Sequence, residues 1–196
     1  MGPGASVLLP EPLTDKDHTV LRELIDAVGG RDRHPIPDAF WFCDTRPAGG
    51  GYTGGGRPFA VATGLQQNRE PDDLRQLATT FGFTLVDEIL VVALYNGDED
   101  HRILGELCVW LVERFGGVVD FNGALWPPVP SEAAIDILDA DWRQVEPYFR
   151  RMVEGMPGRI EGLWYESQPG LVWVAHVGDA AFLRAWLEHP RFRMVK

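Results

Sequence analysis

Lysine is almost missing from this chain: only Lys16 and Lys196 occur among 196 residues. That scarcity excludes chemistry built on a lysine, including the phosphate-binding loop and the kinase strand that must carry one. Cysteine is equally sparse. Cys43 and Cys108 both sit in apolar surroundings, FWFCD and LCVWL, so buried free thiols are expected rather than a disulfide, in keeping with a reducing cytoplasm. Burial also raises a thiol's pKa, which argues against a cysteine nucleophile. The five histidines show no H-x-x-x-H spacing and the cysteines no C-x-x-C, so neither a metal site nor any other cofactor is expected. There is no G-x-S-x-G elbow for a serine hydrolase. No run approaches about 18 apolar residues, so no membrane span is expected. The start, MGPGASVLLP, lacks the basic and apolar regions of a secretory signal. Its loose match to an acylation pattern is opposed by Pro3 and by the absence of a nearby basic cluster.

Acid is what the chain has in excess. Twenty-nine Asp and Glu stand against 18 Lys and Arg, a net charge of −11 and an isoelectric point near 4.8. Such a balance opposes binding to nucleic acid and to anionic membranes, both of which require cationic surface. It favours cationic partners through long-range attraction, although solubility alone also accounts for it. The acids cluster at Asp98, Glu99 and Asp100, and at Asp136, Asp139 and Asp141. Both clusters also read as helix ends, where carboxylates complement the dipole. The run NGDEDH fails as a calcium loop, because His101 replaces the obligatory glycine and Leu107 the bidentate Glu. The arginine bias, sixteen to two over lysine, suggests a GC-rich bacterial genome.

Hydrophobic content of 45% in 196 residues suits one domain, 1–196, with a full core. Seven tryptophans, spread from 41 to 186, are expected mainly as core anchors. Strands are predicted at 6–9, 40–43, 59–62, 84–95 and 118–121, and a hairpin at 160–165 and 171–177 around SQPG. Helices are predicted from a Thr14 cap with stripe Val20, Leu21, Leu24, Ile25, Val28, and at 70–81, 96–115, 131–138, 141–154 and 179–188. Irregular alternation with at least one hairpin points to an α+β fold, a mixed and mainly antiparallel sheet flanked by helices.

The stretch GGGYTGGGR, residues 49–57, carries the letters G-x-G-x-x-G. A dinucleotide cradle needs a helix directly after that turn; here Arg57-Pro58 and the strand pattern FAVA follow. A flexible loop over 47–57 joining two strands is the expectation, with Tyr52 and Arg57 its only sizeable contacts for a partner. Asp120 interrupts an apolar strand beside the turn pair Asn122-Gly123. A structural hydrogen bond to turn amides is favoured there over a catalytic role.

Three segments, HRILGELCVWLVERFGG running into VVDFNGAL, then DWRQVEPYFRRMVEGMPGRI, and FLRAWLEHPRFRMVK, resemble an uncharacterised family of small acidic bacterial proteins, a domain of unknown function. The resemblance spans about residues 100–196. It is most specific from Gly116 to Gly123 around Asp120 and in the tail His189–Lys196. The family is similar to immunity proteins that neutralise polymorphic toxins, and it carries over no catalytic residues. The resulting expectation is a cytoplasmic binding protein that occludes a basic toxin domain. The alternative is a small enzyme with a polar pocket around Asp120.

Overall fold

The computed structural model describes residues 2–33, 39–64, 71–127, 129 and 141–195. In chain order these form β1 (Gly4–Leu9), α1 (Asp15–Val28), β2 (Gly29–Arg33), β3 (Ala39–Asp44), a 3-10 turn (Arg46–Ala48), β4 (Thr53–Thr63), α2 (Pro71–Phe81), β5 (Asp87–Ala93), α3 (Asp98–Phe115), β6 (Val118–Asp120), α4 (Trp142–Val153), β7 (Ile160–Gln168), β8 (Leu171–Gly178) and α5 (Ala180–Leu187). The fold is α+β. The expected helix over 131–138, with Asp136 and Asp139, lies outside the described residues.

The eight strands make one sheet in the order β2-β3-β4-β5-β1-β6-β8-β7. Every pairing is antiparallel. The central strand β1 lies between β5 and β6, which explains why five of its six residues are buried without alternation. Ala5, Val7 and Leu9 face the main core with α3, while Leu8 faces the other side of the sheet. There Leu8, Leu77 of α2, Val118, Leu163 and Val177 form a smaller core. The sheet therefore carries helices on both faces.

Local chemistry sets several boundaries. Thr14 and Asp17 form a reciprocal capping box at the start of α1. Asp179 caps α5 by accepting the Phe182 N–H at 2.8 Å. Gly117 has φ +87°, and a Cβ there would run into the Leu8 carbonyl oxygen, so only glycine lets α3 return into β6 at this point. On the edge strand β7, the Gln76 side chain donates to the Gly162 carbonyl at 2.7 Å and accepts the Trp164 N–H at 3.3 Å. It thereby occupies backbone groups that an open edge would present. Trp142 and Trp186 are buried, as expected of core anchors. Trp110, Trp126 and Trp164 are only half-buried against the core.

Candidate functional site

The glycine stretch does not behave as one loop. Gly49–Tyr52 form the turn after Ala48, while Thr53–Arg57 belong to β4, where Phe42 pairs with Arg57 and Asp44 with Thr53. The expected loop over 47–57 is thus corrected to a turn followed by a strand that starts at Thr53, with Gly54–Gly56 in the irregular stretch between the Asp44–Thr53 and Phe42–Arg57 pairs. The turn has an occupant from within the chain. Gly51 N–H donates to the Glu106 carboxylate at 3.3 Å from each oxygen. Glu106 lies on α3 and is buried, and Arg102 one turn earlier donates to it at 3.2 Å. Backbone amides of a glycine turn favour an anion; here the anion is the chain's own carboxylate. Nothing in the local sequence signalled Glu106, which lies 55 residues from Gly51.

The same region gathers most of the residues singled out as partner contacts. Arg57 reaches from β4 to the first turn of α3, with Nη2 3.2 Å from Glu99 and Nε 3.1 Å from Asp100. Asp100 is fully buried and accepts the Gly97 N–H at 2.7 Å, capping α3. Asp100 and Arg57 therefore fasten sheet to helix within the chain; Asp100, fully buried, is not placed to meet a partner, whereas the Arg57 side chain stays 25% exposed. Tyr52 is likewise committed, its hydroxyl donating to the Gly55 carbonyl at 2.7 Å. Asp141 serves as the N-cap of α4 and forks with Arg143, which holds its carboxyl below the usual range. That leaves Asp98 and Glu99 facing solvent, with side chains 96% and 61% exposed.

Around this helix start the ion pairs run on. Arg102 reaches both Glu106 and Glu188, and Arg193 lies 3.5 Å from Asp98. The network holds five carboxylates, Asp98, Glu99, Asp100, Glu106 and Glu188, and three guanidiniums, Arg57, Arg102 and Arg193. Its most exposed members are the carboxylates Asp98 and Glu188, while Glu99, Arg193 and Arg102 are exposed to a lesser and similar degree.

A cavity of about 530 Å³ opens beside the network. The tail 191–195 forms one wall, held by Met194 N–H donating to His101 Nδ1 at 3.1 Å and by Trp186 Nε1–H donating to the Arg193 carbonyl at 3.0 Å. Because Nδ1 of His101 accepts, Nε2 carries the proton and donates to Asn96 Oδ1 at 3.1 Å. Burial and the nearby Arg193 charge hold this histidine's pKa below its ordinary value. Trp126, Tyr165 and Trp173 also line the cavity. Trp126 and Trp173 meet edge to face at 5.4 Å, and Tyr165 is the cross-strand partner of Trp173.

Asp120 lies next to this cavity rather than in it. It is buried, and its Oδ1 accepts the Asn122 N–H at 2.7 Å, the turn-amide bond expected from the sequence. Asn122 takes a left-handed φ of 55°, and the Gly123 that follows packs so close to Val195 that a Cβ would meet Cγ1 at 2.7 Å. The turn after β6 and the C-terminal tail, the two most distinctive segments of the resemblance, thus meet at the cavity. His176, behind them, accepts the Leu125 N–H at Nδ1 (2.7 Å) and stacks on Phe149 at 4.0 Å. Burial pushes its pKa down to about 3, so it is a neutral core residue.

Among the described residues no cluster of three or more His, Cys, Asp or Glu is placed to hold a metal ion, and no helix is long and apolar enough to cross a membrane. No curated protein and no solved structure matches the chain. One family model does, over residues 1–196: the chain belongs to DUF6368, a family of unknown function.

Proposed function

We propose that this member of DUF6368 is a protein-binding module of the immunity type, which neutralises a basic effector domain in the cytoplasm by covering it. The observation that carries the reading is the excess of acid on the rim around the start of α3, where three exposed carboxylates stand beside the half-exposed Arg102 and Arg193. Asp98, Glu99 and Glu188 are 96%, 61% and 77% exposed, on a chain of net charge −11. Exposed acids of this kind steer a cationic partner into encounter and set its register. Behind them, the Arg57–Asp100 and Gly51–Glu106 contacts fix the helix start to the sheet, so the rim is presented on a stiff support. Affinity purification of the tagged chain from its host at low salt is expected to return one stoichiometric basic protein that dissociates as salt is raised. Recovery of no such partner contradicts the proposal.

The cavity gives a second reading, a small enzyme, one specific observation in its favour: His101 and Asn122 both line it. Yet both ring nitrogens of His101 are committed, to Met194 and Asn96. A general base needs a free lone pair within reach of its proton. The geometry supports binding in the cavity better than turnover.

A further inference from the structure

The cavity lining contradicts the charge of the rest of the molecule. The chain has 29 Asp and Glu, but none is among the described lining residues, whereas Arg191 and Arg193 both are. Both arginines are exposed, and Arg193 has as its acidic neighbour the solvent-facing Asp98 at 3.5 Å. An exposed pair of that length holds a guanidinium weakly, which leaves it able to accept another anion. Arginine forks suit phosphate and carboxylate geometry. Arg191 and Arg193 are thus the charged side chains among the described lining residues, and they give the cavity a positive side on a protein that is otherwise acidic.

Another part of the lining is aromatic. Tyr165 is 43% exposed, unusual for a large ring in a sheet, and Trp126 and Trp173 present partly uncovered indoles beside it. Such faces stack on flat heteroaromatic rings. The amides of Asn96 and Asn122 also line the cavity, and a side-chain amide carries both donor and acceptor for a ring edge. The volume of about 530 Å³ falls in the range of small-molecule sites. We propose that this cavity binds a planar heteroaromatic anion of the nucleoside-monophosphate class, its ring against the Trp126–Trp173–Tyr165 wall and its phosphate on Arg191 and Arg193. This site adjoins the acidic rim through the Arg193–Asp98 contact, and its occupation by a nucleotide is measured without the protein partner.

Intrinsic tryptophan emission reads the site directly, because Trp126, Trp173 and Trp186 all line it. Titration of the full chain with AMP, GMP, CMP and UMP is expected to give a saturable change with at least one of them, confirmed by equilibrium dialysis. The corresponding nucleoside, which lacks the phosphate, is expected to bind at least about tenfold more weakly. An Arg191→Glu/Arg193→Glu variant is expected to lose binding by a similar factor or more, and Arg22→Glu, exposed on α1 at the β2–β3 end of the sheet, to leave it unchanged. Folding of each variant is checked by circular dichroism. Absence of saturable binding of all four nucleotides at millimolar concentration overturns the proposal. So does equal affinity for nucleotide and nucleoside on the unmodified chain, a comparison that needs no variant to fold.

Discussion

The backbone N–H of Gly51 points at the carboxylate of Glu106 from 3.3 Å, bringing a glycine turn and the middle of α3 together across 55 residues. This contact explains the glycine run better than any exogenous phosphate. A Cβ at Gly50 would overlap Glu106 Oε2 and approach Thr45 Oγ1 to 2.5 Å, whereas one at Gly51 meets nothing within 4 Å. Gly50→Ala is therefore expected to destabilise by about 1–3 kcal/mol, and Gly51→Ala to be nearly neutral. Thermal denaturation of the two variants checks the difference.

Arg57 is expected to matter for folding more than for surface charge. Its removal leaves the fully buried Asp100 without the nearest cation, and breaking a buried pair from one side costs about 3–5 kcal/mol. The Asp100 carboxylate keeps its bond from Gly97 N–H, so Arg57→Ala is expected near the lower end. Asp98→Ala, at a side chain 96% exposed, is expected to leave the urea midpoint unchanged. Equal effects of the two substitutions would contradict the placement of Arg57.

These two cases show what the sequence could and could not disclose. Helix α1 was legible because its cap, Thr14 and Asp17, and its apolar stripe are local. The β7–β8 hairpin and the Asp120–Asn122 turn were legible for the same reason. The role of Asp100 was not, because a first-turn acid looks alike whether it faces water or an arginine on a strand 43 positions earlier. The cavity was invisible too: its walls come from the start of α3, the turn after β6, the β7–β8 hairpin, α5 and the tail. Periodicity reports which face of an element is apolar, and carries no information on which distant segments meet.

His176 predicts a pH dependence. Its ring is neutral in the folded chain down to about pH 3, while in the unfolded chain it takes up a proton near 6.5. The unfolded state thus binds more protons between those values, so stability is full above 6.5 and is lost as pH falls toward 3. His101 and His189, also shifted downward by burial, act with the same sign. His176→Gln is expected to flatten the fall in urea midpoint between pH 6.5 and 4.5 relative to the parent. An unchanged slope would place His176 in contact with water.

The two thiols are expected to differ in reactivity. Cys108 is fully buried on α3 and its pKa is pushed up to about 12, whereas Cys43 on β3 is partly accessible. A thiol reagent at neutral pH is expected to modify Cys43 before Cys108, and Cys108 only on unfolding. Mass mapping of the labelled peptides decides the order.

The most direct test of the proposed function reverses the acidic rim. The affinity of the chain for its co-purifying basic partner is measured with and without Asp98→Lys, Glu99→Lys and Glu188→Lys combined, each protein first shown to be folded. The account predicts at least about a tenfold loss, about 1.4 kcal/mol, with a weaker dependence of binding on salt. Unchanged affinity and unchanged salt dependence in the reversed protein would contradict it.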